Sequence, residues 1–154
     1  MKLSRQMVCG MALTLALAVN VAAQTQKTKL PDTPAGKRMA QMFAAIESSD
    51  PAVWKKFAAE GHAKSFLEKR SVEDVTAMLQ QMHERQGGFD LLKIEKSEPC
   101  FLSVQARNKE AGMTFWVDVR VEEKEPHGIV GVGLDTAPPD NRPKGGPGKV
   151  VVKQ

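Results

Sequence analysis

The sequence predicts an α+β domain in which three helices precede a curved, four-stranded antiparallel meander and pack on it. Two observations carry this prediction. Apolar residues recur with helical spacing up to about residue 86, and with the two-residue spacing of strands from Phe89 onward. Short connections between the strands favour an antiparallel meander, and the apolar face of each strand then needs a helical layer to cover it.

Three helices are indicated, each by a start signal and an apolar face. Thr33-Pro34 suits an N-cap and first helical residue, Asp50-Pro51 repeats that signal, and Ser71 with Asp74 resembles a capping box. We therefore expect helices at about 34–47, 51–60 and 72–86, with a short irregular piece after the second. The residues predicted to face the core are Met39, Met42, Phe43, Ile46, Val53, Trp54, Phe57, Phe66, Leu67, Val72, Val75, Leu79 and Met82.

Four strands are indicated by alternation of apolar and polar residues. Matching their apolar faces pairs Val104 with Val117 and Val119 with Val132. The residues predicted to point toward the helices are Leu92, Ile94, Leu102, Val104, Ala106, Met113, Phe115, Val117, Val119, Val121, Val130 and Val132. None of them is titratable, so the interior offers no side chain for general acid–base catalysis.

The ends of the chain differ in composition from the domain. A basic start, the apolar stretch Met11–Val19 and the small residues Val21-Ala22-Ala23 are typical of an export signal cleaved before Gln24. The stretch is too short to span a bilayer. We expect a periplasmic or secreted protein without a transmembrane segment after cleavage. Its predicted parts are a signal peptide at 1–23, a flexible N-terminus at 24–30, the domain at 31–137 and a disordered Pro/Gly/Lys tail at 138–154.

Charge and side-chain chemistry exclude several classes of function. Without residues 1–23 the formal charge is +2, and the cations are dispersed among acids, which argues against nucleic-acid binding. Cys100 remains as the single cysteine, predicted to pack as a small apolar group, and no internal disulfide is possible. The histidines His62, His83 and His127 lack metal-ligand spacing and are expected at the surface or at helix caps. We predict no catalytic residue, metal or cofactor.

The element order resembles the nuclear transport factor 2-like (cystatin-like) α+β cone. A closer resemblance is to a small exported bacterial module that often precedes a beta-lactamase-like serine hydrolase or a tail-specific protease domain. The stretches that carry it are Leu30–Gly36 (LPDTPAG), Asp50-Pro51, Gly87–Leu91 (GGFDL) and Pro126–Leu134 (PHGIVGVGL). No Ser-x-x-Lys motif is present in this sequence, so the resemblance implies a fold and supplies no chemistry.

The sheet face that points away from the helices gives the functional hypothesis. An aromatic residue beside a strip of strand glycines, with charges around it, suits a protein contact. We expect an interaction module without catalysis that forms a homodimer or docks an envelope protein. The candidate residues are Phe101, Gln105, Arg107, Trp116, Asp118 and Arg120. Three alternatives stay open: an ordinary solvated face, a binder of a small apolar ligand inside the cone, and a cone-fold isomerase or hydrolase.

Overall fold

The computed structural model describes residues 28–138; the predicted export signal, residues 24–27 and the tail from residue 139 lie outside the described residues. The α+β class is confirmed, because several helices precede one open antiparallel sheet with strand order β1-β2-β3-β4. The elements in chain order are α1 (Pro34–Glu47), α2 (Pro51–Gly61), α3 (Lys64–Leu67), α4 (Val72–Gln86), β1 (Phe89–Glu98), β2 (Phe101–Asn108), β3 (Thr114–Val121) and β4 (Ile129–Asp135).

The helix starts follow the predicted capping signals. The hydroxyl of Thr33 accepts a hydrogen bond from the backbone N–H of Gly36 at 3.1 Å, and Asp50 caps α2 in the same manner. At α4 both bonds of the capping box form between Ser71 and Asp74, each at 3.1 Å. One prediction is corrected: the piece between α2 and α4, expected to be irregular, contains the one-turn helix α3.

The core lies between the helices and one face of the sheet, as the apolar periodicity predicts. The pairs Val104–Val117 and Val119–Val132 are both present in the strand register. The largest fully buried side chains are Met39, Ile46, Leu79, Leu102, Ile129, Val75, Val104, Val117 and Val119. The central strands β2 and β3 supply most of the sheet side of this core, and α1 packs against both of them.

Three residues predicted to be buried are exposed. Val53 on α2 is 39% exposed, and Met113, in the β2–β3 connection, is 52% exposed. Leu92 is 37% exposed because β1 shifts register between Leu91 and Lys93, so Leu91 takes the core position instead. A bulge adds one residue to a strand and reverses which side the following residues face.

A register shift also corrects the prediction for β4. The shift lies opposite Arg120 and Val121, and it pairs Val121 with Ile129. Ile129 is therefore fully buried, whereas Val130, predicted to point inward, is only half-buried. Val132 keeps its predicted inward position against the core.

The connection between β3 and β4 is held by α1 and by the junction between α2 and α3. Arg38 of α1 donates from Nε to the carbonyl of His127 at 3.0 Å and from Nη2 to the carbonyl of Pro126 at 2.6 Å. The backbone N–H of Ala63 donates to the carbonyl of Ile129 at 3.0 Å. The α2–α3 junction is thus bonded directly to the first residue of β4.

Within residues 28–138, none of the helices combines the length and apolar character that crossing a membrane requires.

Candidate functional site: the outer face of the sheet

We use the term outer face for the side of the sheet that points away from the helices. Residues paired across antiparallel strands project to the same side, so the register arranges this face in four rows. The rows are Asp90, Arg107 and Thr114; Lys93, Gln105, Trp116 and Asp135; Lys96, Ser103, Asp118 and Gly133; and Glu98, Phe101, Arg120 and Gly131. Charges of both signs surround two aromatic side chains on this face.

All six candidate residues predicted from the sequence lie on the outer face. Trp116 is half-buried near its middle, with Gln105 and Asp135 as its cross-strand neighbours. The indole does not belong to the core under the helices; the buried tryptophan there is Trp54, whose Nε1–H donates to the carbonyl of Ala45 at 2.9 Å. One tryptophan therefore lies on each side of the sheet.

Ser103 and Asp118 form the polar centre of the outer face. The Ser103 hydroxyl donates to Oδ1 of Asp118 at 2.6 Å, and Ser103 is only 2% exposed. Beside them, a Cβ on Gly133 would lie 3.4 Å from a carboxylate oxygen of Asp118. The sequence predicts Asp118 on this face but not its bond with Ser103, because that bond depends on the exact register of β2 and β3.

Phe101 lies at one end of the face, close to two cations. The Nζ of Lys96 and the guanidinium carbon of Arg120 are each 5.5 Å from the ring centroid. At this separation a cation is attracted to the negative face of the ring. The contributions of β1, including Lys93 and Lys96, are absent from the predicted site because the two bulges of β1 hide its alternation.

His62 occupies one of the two kinds of position predicted for the histidines, a helix cap, and not the surface. It caps the C-terminal end of α2, but it is only 7% exposed, and its Nδ1 has no hydrogen-bond partner. The rings of Phe57 and Phe66 flank it at centroid distances of 5.4 and 5.0 Å. Burial lowers the pKa of His62, and the positive charge of Arg38 also lowers it. Nearby backbone carbonyls act in the opposite direction, because they favour the protonated ring.

The other two histidines and the cysteine each have a structural contact. The Nδ1 atoms of His83 and His127 lie 2.8 and 2.9 Å from the backbone carbonyls of Ile46 and Glu122. Cys100 is half-buried and packs against the core, although it lies in the β1–β2 turn and not on a strand. In the part of the chain that the structure describes, no three His, Cys, Asp or Glu side chains come together as a metal site.

A groove of about 1300 Å³ runs beside α1, at the edge of β1. Phe43 and Phe89 lie at its apolar floor, and the segment from Thr28 to Asp32 forms one wall. The Thr28 hydroxyl donates to the carbonyl of Leu92 at 3.0 Å, which fixes this wall to β1. The groove is thus bounded by α1 on one side and by β1 and the end of β2 on the other.

Comparison with known families gives one match. The sequence model of the family described as ORF 12 gene product N-terminal matches residues 30–125, which is more than half of the chain. The matched range covers α1 to β3 and ends before β4. Comparisons with curated proteins and with solved structures gave no match.

Proposed function

The chain belongs to the ORF 12 gene product N-terminal family, and we propose that it is an exported interaction module that associates through the outer face of its sheet. The observation that carries the proposal is the half-exposed indole of Trp116 in the middle of a sheet face that the helices do not cover. A large aromatic side chain with charged residues around it is the usual composition of a protein contact.

The relief of the outer face supports this proposal. Gly133 and Gly131 place no side chain beside Asp118 and Arg120, and a Cβ on Gly131 would meet no atom within 4 Å. A strand glycine without a packing partner is favourable where another surface approaches closely. The glycine strip along β4 begins one row away from the indole, so it suits a partner that contacts both.

The fold we propose for this module is the nuclear transport factor 2-like cone. Its support is the chain order, in which the helices come first and a four-stranded antiparallel meander follows. In such an arrangement the helices cover the inner face of the sheet, and the outer face stays accessible for contacts with other proteins.

Export is the second part of the proposal, and it rests on the N-terminal sequence pattern. We expect the protein recovered from cells to begin at Gln24, because Val21-Ala22-Ala23 is a typical cleavage site after an apolar stretch. The mass of the intact protein from the envelope and from the medium measures this directly. A product that retains Met1–Ala23 would contradict export by cleavage.

The association is tested by replacing Trp116 with Ala and comparing that variant with Val53→Ala. Val53 is a matched control, since it is an exposed apolar side chain on α2, away from the outer face. Light scattering coupled to size exclusion and quantitative capture from an envelope extract are the two measurements. We expect self-association or a captured protein that Trp116→Ala loses by at least about tenfold and that Val53→Ala keeps.

Two results would contradict the proposed function. The first is a protein that is monomeric and captures nothing specifically. The second is association that Trp116→Ala and Val53→Ala reduce equally, because the outer face would then have no special role.

A further inference from the structure

We propose that the occupant of the outer face is a second copy of this chain. The two-fold axis that relates the copies lies between their two sheets, parallel to the strands and above the gap between β2 and β3. This inference rests on the proposed function and adds the partner and the geometry. The distribution of charges over the four rows of the outer face supports this arrangement.

With a two-fold axis along the strands, each row lies opposite the same row of the second copy. The strands of the second copy then lie in the reverse order. The axis thus places β1 opposite β4 of the second copy, and β2 opposite β3. Lys93 then faces Asp135 of the second copy, and Phe101 faces Arg120 of the second copy. Each contact occurs twice, as in any isologous interface.

Two further charges of β1 agree with this arrangement. Lys96 faces Gly133 of the second copy, next to the carboxylate of Asp118, and Glu98 faces Gly131, next to the guanidinium of Arg120. Because the glycines carry no side chain, the long side chains of β1 have room to reach those charges. Every cation of the first strand thus lies near an acid of the second copy.

The other simple two-fold arrangement is unfavourable. An axis in the plane of the sheet but perpendicular to the strands reverses the rows and places each strand opposite itself. Asp90 would then face Glu98 of the second copy, and Lys93 would face Lys96. Like charges across an interface are destabilising, so the charge pattern selects the axis parallel to the strands.

The size of the face indicates a weak dimer. Strand spacings of about 4.8 Å and residue rises of about 3.3 Å give the four strands a face of roughly 500 Å². A standard interface buries about 800 Å² per partner. We therefore expect a concentration-dependent dimer with a dissociation constant in the micromolar range, which added salt weakens.

The test uses one charge reversal on each edge strand, Lys93→Glu and Asp135→Lys. These positions lie on the two edge strands of one chain, so they do not contact each other within a copy. Each variant alone places like charges opposite each other, and we expect its self-association to fall about fivefold or more. An equimolar mixture restores opposite charges at both contacts. We expect the mixture to dimerise as strongly as the unchanged protein.

Sedimentation velocity over a range of concentrations compares the unchanged protein, the two variants and their mixture, and thermal unfolding of each variant confirms that it is folded. Lys37→Glu is the control, because Lys37 is an exposed lysine on α1 that lies outside the proposed dimer contact. We expect it to dimerise normally.

The outcomes separate this inference from the proposed function. Variants that each weaken the dimer without restoration in the mixture would overturn the axis, while loss of the dimer in Trp116→Ala would keep the outer face as the contact. A protein that stays monomeric at every concentration would overturn the second copy as occupant. Capture of another protein through Trp116 would then keep the proposed function.

Discussion

The buried imidazole of His62 ties the stability of the fold to pH. In the folded chain the ring lies between Phe57 and Phe66, and burial lowers its pKa below the ordinary value near 6.5. The unfolded chain keeps the ordinary pKa. Below about pH 6.5 the unfolded state therefore binds more protons than the folded state, and the free energy of unfolding falls as the pH falls.

We expect His62→Phe to remove this part of the pH dependence, because phenylalanine keeps the ring between its two neighbours and cannot be protonated. Urea unfolding at several pH values between 5 and 8 measures the effect. The unchanged protein should lose stability through this range more steeply than His62→Phe. His127→Gln serves as the control and should keep the steeper slope. Equal slopes for the unchanged protein and His62→Phe would show that another group causes the dependence.

At the same scale, Leu92 and His62 show why some residue assignments from sequence fail. The alternation of apolar residues assigns a side only while the register is unbroken, and a single added residue in β1 turns Leu92 outward. The burial of His62 depends on the approach of β4 to the α2–α3 junction. Both facts depend on contacts between residues that are distant in the chain, which no local pattern reports.

At the scale of elements, the local signals were sufficient for the starts of three helices. Thr33, Asp50 and Ser71 each satisfy backbone N–H groups of the helix that follows them, so the starts of α1, α2 and α4 could be predicted from a few neighbouring residues. The outer face could be predicted for β2 and β3, since their alternation is regular. The share of β1 in that face could not, because of its bulges.

The docking of β4 against the helices depends on Gly128. A Cβ on this residue would lie 2.6 Å from both the Cα and the N of Ala63, which are backbone atoms that cannot turn aside. We expect Gly128→Ala to destabilise the protein by about 1–3 kcal/mol, the usual cost of adding a group to a filled space. Thermal and urea unfolding measure this.

Gly131→Ala is the matched control for that substitution. A Cβ at Gly131 would have no atom within 4 Å, so this variant should stay within about 0.5 kcal/mol of the unchanged protein. If both alanine variants were equally stable, the contact between β4 and the α2–α3 junction would be looser than the structure shows.

At the scale of the whole molecule, the two faces of the sheet have different roles. The inner face is filled by apolar side chains from α1, α2 and α4, so its composition is set by packing. The outer face carries the charges and the second tryptophan, and its composition is free to serve a contact. The sequence could predict this division because polar and apolar residues alternate along β3, the most regular strand.

The bulges have a further consequence for how copies of this protein can aggregate. Both sheet edges are interrupted: β1 by two register shifts and by charged side chains, and β4 by the shift at Val130 and the bridge from His62. Irregular, charged borders of this kind are poor templates for another strand. These edges therefore disfavour the addition of further strands, and we expect concentrated solutions to form no amyloid fibrils.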